Sequence, residues 1–94
     1  MVVALLIVDL LIPSSTNLKD KRRVLSGLVD RTKTRYNVSV AEVAYQNDHK
    51  RARIAVACVG CTVKVVQGML DSVARQYDSH PEAEVIERVI EYLY

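Results

Sequence analysis

The most constraining feature is the run Val2 to Ile12 (VVALLIVDLLI), which stops at Pro13. It is rich in Val, Ile and Leu, too short for a well-founded helix, and ends at a Pro-Ser-Ser-Thr turn, so it reads as a strand. Apart from Asp9, both of its faces are apolar. A strand apolar on both faces has to be covered on both sides. The run is also far short of the ~20 residues that span a bilayer. It lacks the basic leader and small-residue cleavage site of a signal peptide, so a cytoplasmic location with no membrane partner is expected.

The 82 residues that follow supply elements to pack on it. Asn17 suits a helix N-cap, with Asp20 in the first turn favouring the dipole. Leu18, Leu25, Leu28, Val29, Thr32 and Tyr36 follow on one helical stripe, predicting a helix to about Arg35 that ends near Asn37 in a left-handed cap. Residues 38–45 alternate as a half-buried strand, 46–49 form a polar turn, and residues 52–59 are a second strand, which together make a hairpin. Val63, Val66, Leu70, Val73, Ala74 and Tyr77 mark a second amphipathic helix that ends before Pro81. Residues 83–94 (AEVIERVIEYLY) fit a helical stripe and a strand equally well by pattern. If they form a strand, the order is β-α-β-β-α-β: a single α+β domain, a ferredoxin-like sandwich with a four-stranded antiparallel sheet and both helices on one face.

The net charge of +2 conceals an asymmetry. Residues 17–53 carry ten Lys and Arg against four acids, and residues 71–94 carry two against six. Lys19, Lys21, Arg22 and Arg23 open the first helix, where its dipole disfavours cations. Ion pairs with acids of the second half, or an anionic ligand, must favour them there. Lys50, Arg51 and Arg53 form a second cluster at the hairpin. The two clusters are the candidate nucleic-acid contacts, and their binding would be salt-sensitive. The central strands, residues 2–12 and 52–59, contain no aromatic residue. That argues against base stacking of the RNA-recognition kind and leaves electrostatic contact with RNA or a ribonucleoprotein.

Catalytic and metal chemistry have little to build on. There is no Gly-rich phosphate loop, no H-E-x-x-H and no Ser/His/Asp spacing. Cys58-Val-Gly-Cys61 is a lone C-x-x-C, whereas a structural zinc site wants four ligands. Cys58 reads as a small buried apolar residue, and neither cofactor nor metal is expected. Glu42 interrupts an apolar alternation and reads as an edge-strand carboxylate paired with a Lys or Arg. A concave pocket holding Glu42 and a histidine would instead favour a small enzyme or ligand-binding module with a site between subunits.

Three stretches carry a family resemblance. Asn17 to Leu25 (NLKDKRRVL) resembles a Ser-Leu-Lys-Glu-Lys-Arg-Arg-Val-Leu motif, and Tyr36 to Val43 (YNVSVAEV) resembles aromatic-Asn-Val-Ser-Val-Ala-Glu-Val. Gln46 and Arg51-Ala52 before a Val-rich strand complete the set. Over most of its length the chain resembles the YlxP-like family, bacterial domains of uncharacterised function. The resemblance implies a ferredoxin-like fold with a strand at residues 83–94. Family genes often lie near those of transcription and translation factors, which implies an RNA- or ribosome-linked partner and no chemistry.

That fold makes the first strand central. One face packs on the helices, and the other carries either Val3, Leu5, Ile7 and Leu11 or Val2, Leu6, Val8 and Leu10. The odd-numbered set is expected outward, because the resembling family tends to be polar there. With no further segment in sight to cover it, this face predicts a homo-oligomer, a dimer foremost, with Asp9 near the rim or paired with a cation. The domain is therefore expected to be a non-enzymatic, self-associating interaction module.

Overall fold

The computed structural model describes all residues, Met1 to Tyr94. The elements are β1 (Val2–Leu11), α1 (Leu18–Arg35), β2 (Ser39–Ala44), β3 (Arg51–Gly60), α2 (Val63–Asp78) and β4 (Glu84–Tyr92). They build one four-stranded sheet in the order β2-β3-β1-β4, with every neighbouring pair antiparallel. This is the split βαβ arrangement, a ferredoxin-like α+β fold. No helix is long and apolar enough to cross a membrane.

Alternation along β1 decides which side is the core. Ala4, Leu6, Val8 and Leu10 are fully buried, and Ile12 continues the row. Ala52, Ile54, Val56 and Cys58 of β3 join them, and the two helices cover that face with Val24, Leu25 and Leu28 from α1 and Val66, Leu70, Val73 and Tyr77 from α2. The helices lock to each other through the hydroxyls of Thr32 and Tyr77, hydrogen-bonded at 3.0 Å inside the core. Burial pushes the Tyr77 phenol above its usual pKa, so it stays neutral.

Helix ends follow local chemistry. The Asn17 side chain accepts from the Asp20 N–H at 2.8 Å, and the Asp20 carboxylate reaches back to the Thr16 N–H at 3.2 Å. These are reciprocal caps for orphan amides. The far end of α1 corrects the expected left-handed cap at Asn37. Tyr36 is extended there, with φ −130°, and the one non-glycine residue at positive φ is Tyr45, at 63°.

β4 resolves the ambiguous C-terminal stretch. Leu10 pairs with Val85 but Asp9 pairs with Glu87, so Ile86 is the extra residue of a β-bulge. The bulge lets Val85 and Ile90, an odd spacing apart, both pack on the core.

Gly60 ends β3 where α2 begins. A Cβ built there would lie 2.9 Å from Val66 Cγ2, a branched and buried side chain. Gly68, inside α2, has nothing within 4 Å of its added Cβ. Substitution should therefore act in opposite directions. Gly60→Ala is expected to cost about 1–3 kcal/mol through overpacking, and Gly68→Ala to add roughly 0.5–1 kcal/mol through helix propensity. Urea unfolding of the two variants beside the parent checks both signs.

Candidate functional site

The face of the sheet opposite the helices is crossed by no element of the chain. Its residues follow from register. Leu5 lies between Ala57 and Glu91, Ile7 between Ala55 and Val89, and Asp9 between Arg53 and Glu87. Val3, Leu5, Ile7 and Leu11 all point this way and are only half-buried, so the structure places the odd-numbered set outward. Val59 and Val89 on the neighbouring strands are 63% and 43% exposed. The central apolar band is thus flanked by small alanines on β3 and by Val89 on β4.

At one end the band gives way to charge. Arg53 donates to Asp9 through Nε at 2.6 Å and through a terminal nitrogen at 3.1 Å, a two-point pair that holds the Asp9 carboxyl below its usual pKa. Asp9 itself is 13% exposed, so the polar residue of β1 is satisfied within its own chain. Arg51 lies 4.4 Å and Arg53 5.3 Å from the centre of the Tyr45 ring. Between Ile7, Asp9, Arg53, Glu87, Val89 and Glu91 is an open hollow of about 230 Å³.

Several of the remaining cations serve as internal ties. Lys21 is 1% exposed. Its Nζ donates to the carbonyls of Tyr45 (2.5 Å) and Asp48 (2.6 Å), and it lies 3.0 Å from Glu42 Oε2. A buried lysine from α1 thereby ties down the β2–β3 turn, in which Tyr45 is left-handed, and pairs with the carboxylate on the edge strand. From that turn, Lys50 Nζ donates to the carbonyls of Pro13 (2.9 Å) and Ser15 (2.8 Å), tying down the loop before α1. Arg23 pairs with Glu82 at 2.8 Å, an acid of the second half. Of the seven cations singled out from the sequence, Lys19 and Arg22 alone are exposed with no protein partner. The pattern of charges showed clusters. It did not show that a side chain from α1 would reach backbone carbonyls more than twenty residues away.

No group of three His, Cys, Asp or Glu stands close enough to hold a metal ion. Cys58 is buried, which pushes its thiol pKa up and disfavours the thiolate, and Cys61 is exposed. The hollow beside Glu42 is lined by Arg22, Leu25, Ser26, Val29 and Asp30 and contains no histidine. His80 instead accepts the Glu82 N–H on its Nδ1 at 3.0 Å.

The role of Lys21 gives an asymmetric expectation. Lys21→Met leaves two carbonyls and a carboxylate without their cation and should cost about 3 kcal/mol. Glu42→Gln leaves Lys21 on both carbonyls but removes the counter-charge of a buried ammonium, and should cost less, about 1–2 kcal/mol. Urea unfolding measures both, and amide exchange at Asp48 and Lys50 should quicken only in the lysine variant.

Two comparisons bear on kinship. A family model described as a protein of unknown function (DUF503) matches residues 3–90. The uncharacterized protein YlxP of Bacillus subtilis (strain 168) is 32% identical over 76 residues, which cover 81% of this chain and 83% of that protein. Together with the motifs at Asn17–Leu25 and Tyr36–Val43, they place the chain in the DUF503 family of YlxP-like domains.

Proposed function

We propose that this chain is a non-enzymatic interaction domain that works as a homodimer, closed through the open face of its sheet. The observation that carries the reading is the outward row Val3, Leu5, Ile7 and Leu11 on the central strand, four large aliphatics on a face that no other element of the chain crosses. Full burial of such a side chain is worth about 1.5–3 kcal/mol, and the third or less still exposed leaves at most about 0.5–1 kcal/mol each to be gained. A two-fold arrangement doubles that gain, because each copy contributes the same row. The sum is of the size needed to offset the entropy of association, about 4–15 kcal/mol. Catalysis has no comparable support, since Asp9 of the face is paired with Arg53 and Glu42 is held by Lys21.

Sedimentation at low micromolar concentration tests the reading. The parent is expected at twice the chain mass, and Leu5→Lys and Ile7→Lys at the mass of one chain. A monomeric parent, or Lys variants that stay associated, would refute it.

The unpartnered Lys19 and Arg22, next to Arg23 at the start of α1, favour a second role for the same domain: contact with RNA phosphates, or with a ribonucleoprotein. Of the other cations in the two clusters, Lys21, Lys50 and Arg53 are committed within the chain. Binding of structured RNA should therefore be weak and steeply salt-dependent. The pair Lys19→Gln and Arg22→Gln should flatten the log–log salt slope by about two units. An unchanged slope removes these residues from any RNA contact.

A further inference from the structure

We infer that the two copies are related by a two-fold axis running along β1, so that β3 of each chain lies over β4 of its partner. The inference rests on the homodimer reading above and adds its geometry. On the open face, charge is divided by strand. The cations, Arg51 and Arg53, are on β3, and the acids Glu84, Glu87 and Glu91 are on β4, with β1 between them. Register sets Arg51 and Glu84 on opposite sides of Leu11, and Arg53 and Glu87 on opposite sides of Asp9.

A two-fold axis parallel to the strands and centred on β1 keeps each row at its own level and exchanges the two flanking strands. Arg51 then faces the partner's Glu84, and Arg53 faces the partner's Glu87. Ala55 of β3 faces the partner's Val89, a small residue against a larger one, and the Leu5, Ile7 and Leu11 rows of the two copies meet at the centre. Stacked sheets lie about 10 Å apart, a gap that an Arg and a Glu side chain span together. Aligned packing within about 30° is the common mode for two such sheets. Arg53 uses two of its five N–H donors on Asp9, which leaves three for the partner. The partner's Asp9 comes to face Asp9, and each is already neutralised by its own Arg53. The alternative axis, across the strands and centred on the Ile7 row, would set Glu87 over the partner's Glu91 and Arg53 over Ala57. It brings like charges together and gives Arg53 no acid from the partner. Charge complementarity therefore selects the axis along β1.

Charge reversal tests this with Arg51 and Glu84, which leaves the Asp9–Arg53 pair intact. Arg51→Glu alone places acid over acid twice in a homodimer, and Glu84→Arg alone places cation over cation twice. Each should raise the dimer dissociation constant roughly tenfold or more, since opposed like charges at an interface are costly. An equimolar mixture of the two variants should recover parental association as a heterodimer, because both rows then match; native mass spectrometry reads the species. Recovery also shows that neither variant is misfolded. If the single variants associate like the parent, or if the mixture fails to recover, the axis is wrong while the dimer itself stands. A parent that stays monomeric at sedimentation concentrations overturns the reading and the axis together.

Discussion

β1 is the central constraint of this structure. A strand with a neighbour on each edge and aliphatic side chains on both faces can be satisfied only between two layers. The helices α1 and α2 provide one layer, and against it Ala4, Leu6, Val8, Leu10 and Ile12 are completely buried. The other side of the same strand repeats the chemistry without the cover. Much else follows from having β1 in the middle. The two hairpin strands reach the sheet through α1, and β4 returns through α2 to take the remaining edge. The lone polar residue, Asp9, is tolerated because Arg53 on the adjacent strand is in register to hold it.

The charges look different from within the fold than along the chain. A basic half in a sequence invites an anionic partner, yet Lys21, Arg23, Lys50 and Arg53 each close a specific gap in the structure. The most consequential is Lys21. Its ammonium gathers the Glu42 carboxylate and two carbonyls of the β2–β3 turn, in which Tyr45 adopts a backbone conformation that non-glycine residues avoid. Tyr45 in turn lies beneath Arg51 and Arg53. One chain of contacts thus runs from the buried start of α1 to the charged end of the open face.

The elements that alternate or recur cleanly, β1, α1, β3 and α2, were legible from residues alone, as was the pairing of Glu42 with a cation. β4 was not, because the bulge at Ile86 breaks the two-residue period and sets Val85 and Ile90 five apart, a spacing that suits a helix as well. Only family resemblance decided it. The left-handed residue is Tyr45 and not Asn37; Tyr45 opens the turn whose carbonyls Lys21 binds, and a tyrosine gives no sequence signal for positive φ. Which face of β1 points outward also depended on resemblance, because both sets are equally aliphatic. Cations that bind backbone carbonyls are the hardest to foresee, because a carbonyl has no sequence signature.

In the homodimer the outer row of β1 meets a second copy of itself. Isotope-filtered nuclear Overhauser spectroscopy on a mixture of labelled and unlabelled chains reads that contact atom by atom. Intermolecular methyl cross-peaks are expected at Leu5, Ile7, Leu11 and Val89, and none from the core-facing Leu6, Val8 and Leu10. Absence of any intermolecular signal from the outer row, or signals confined to the helices, would contradict it.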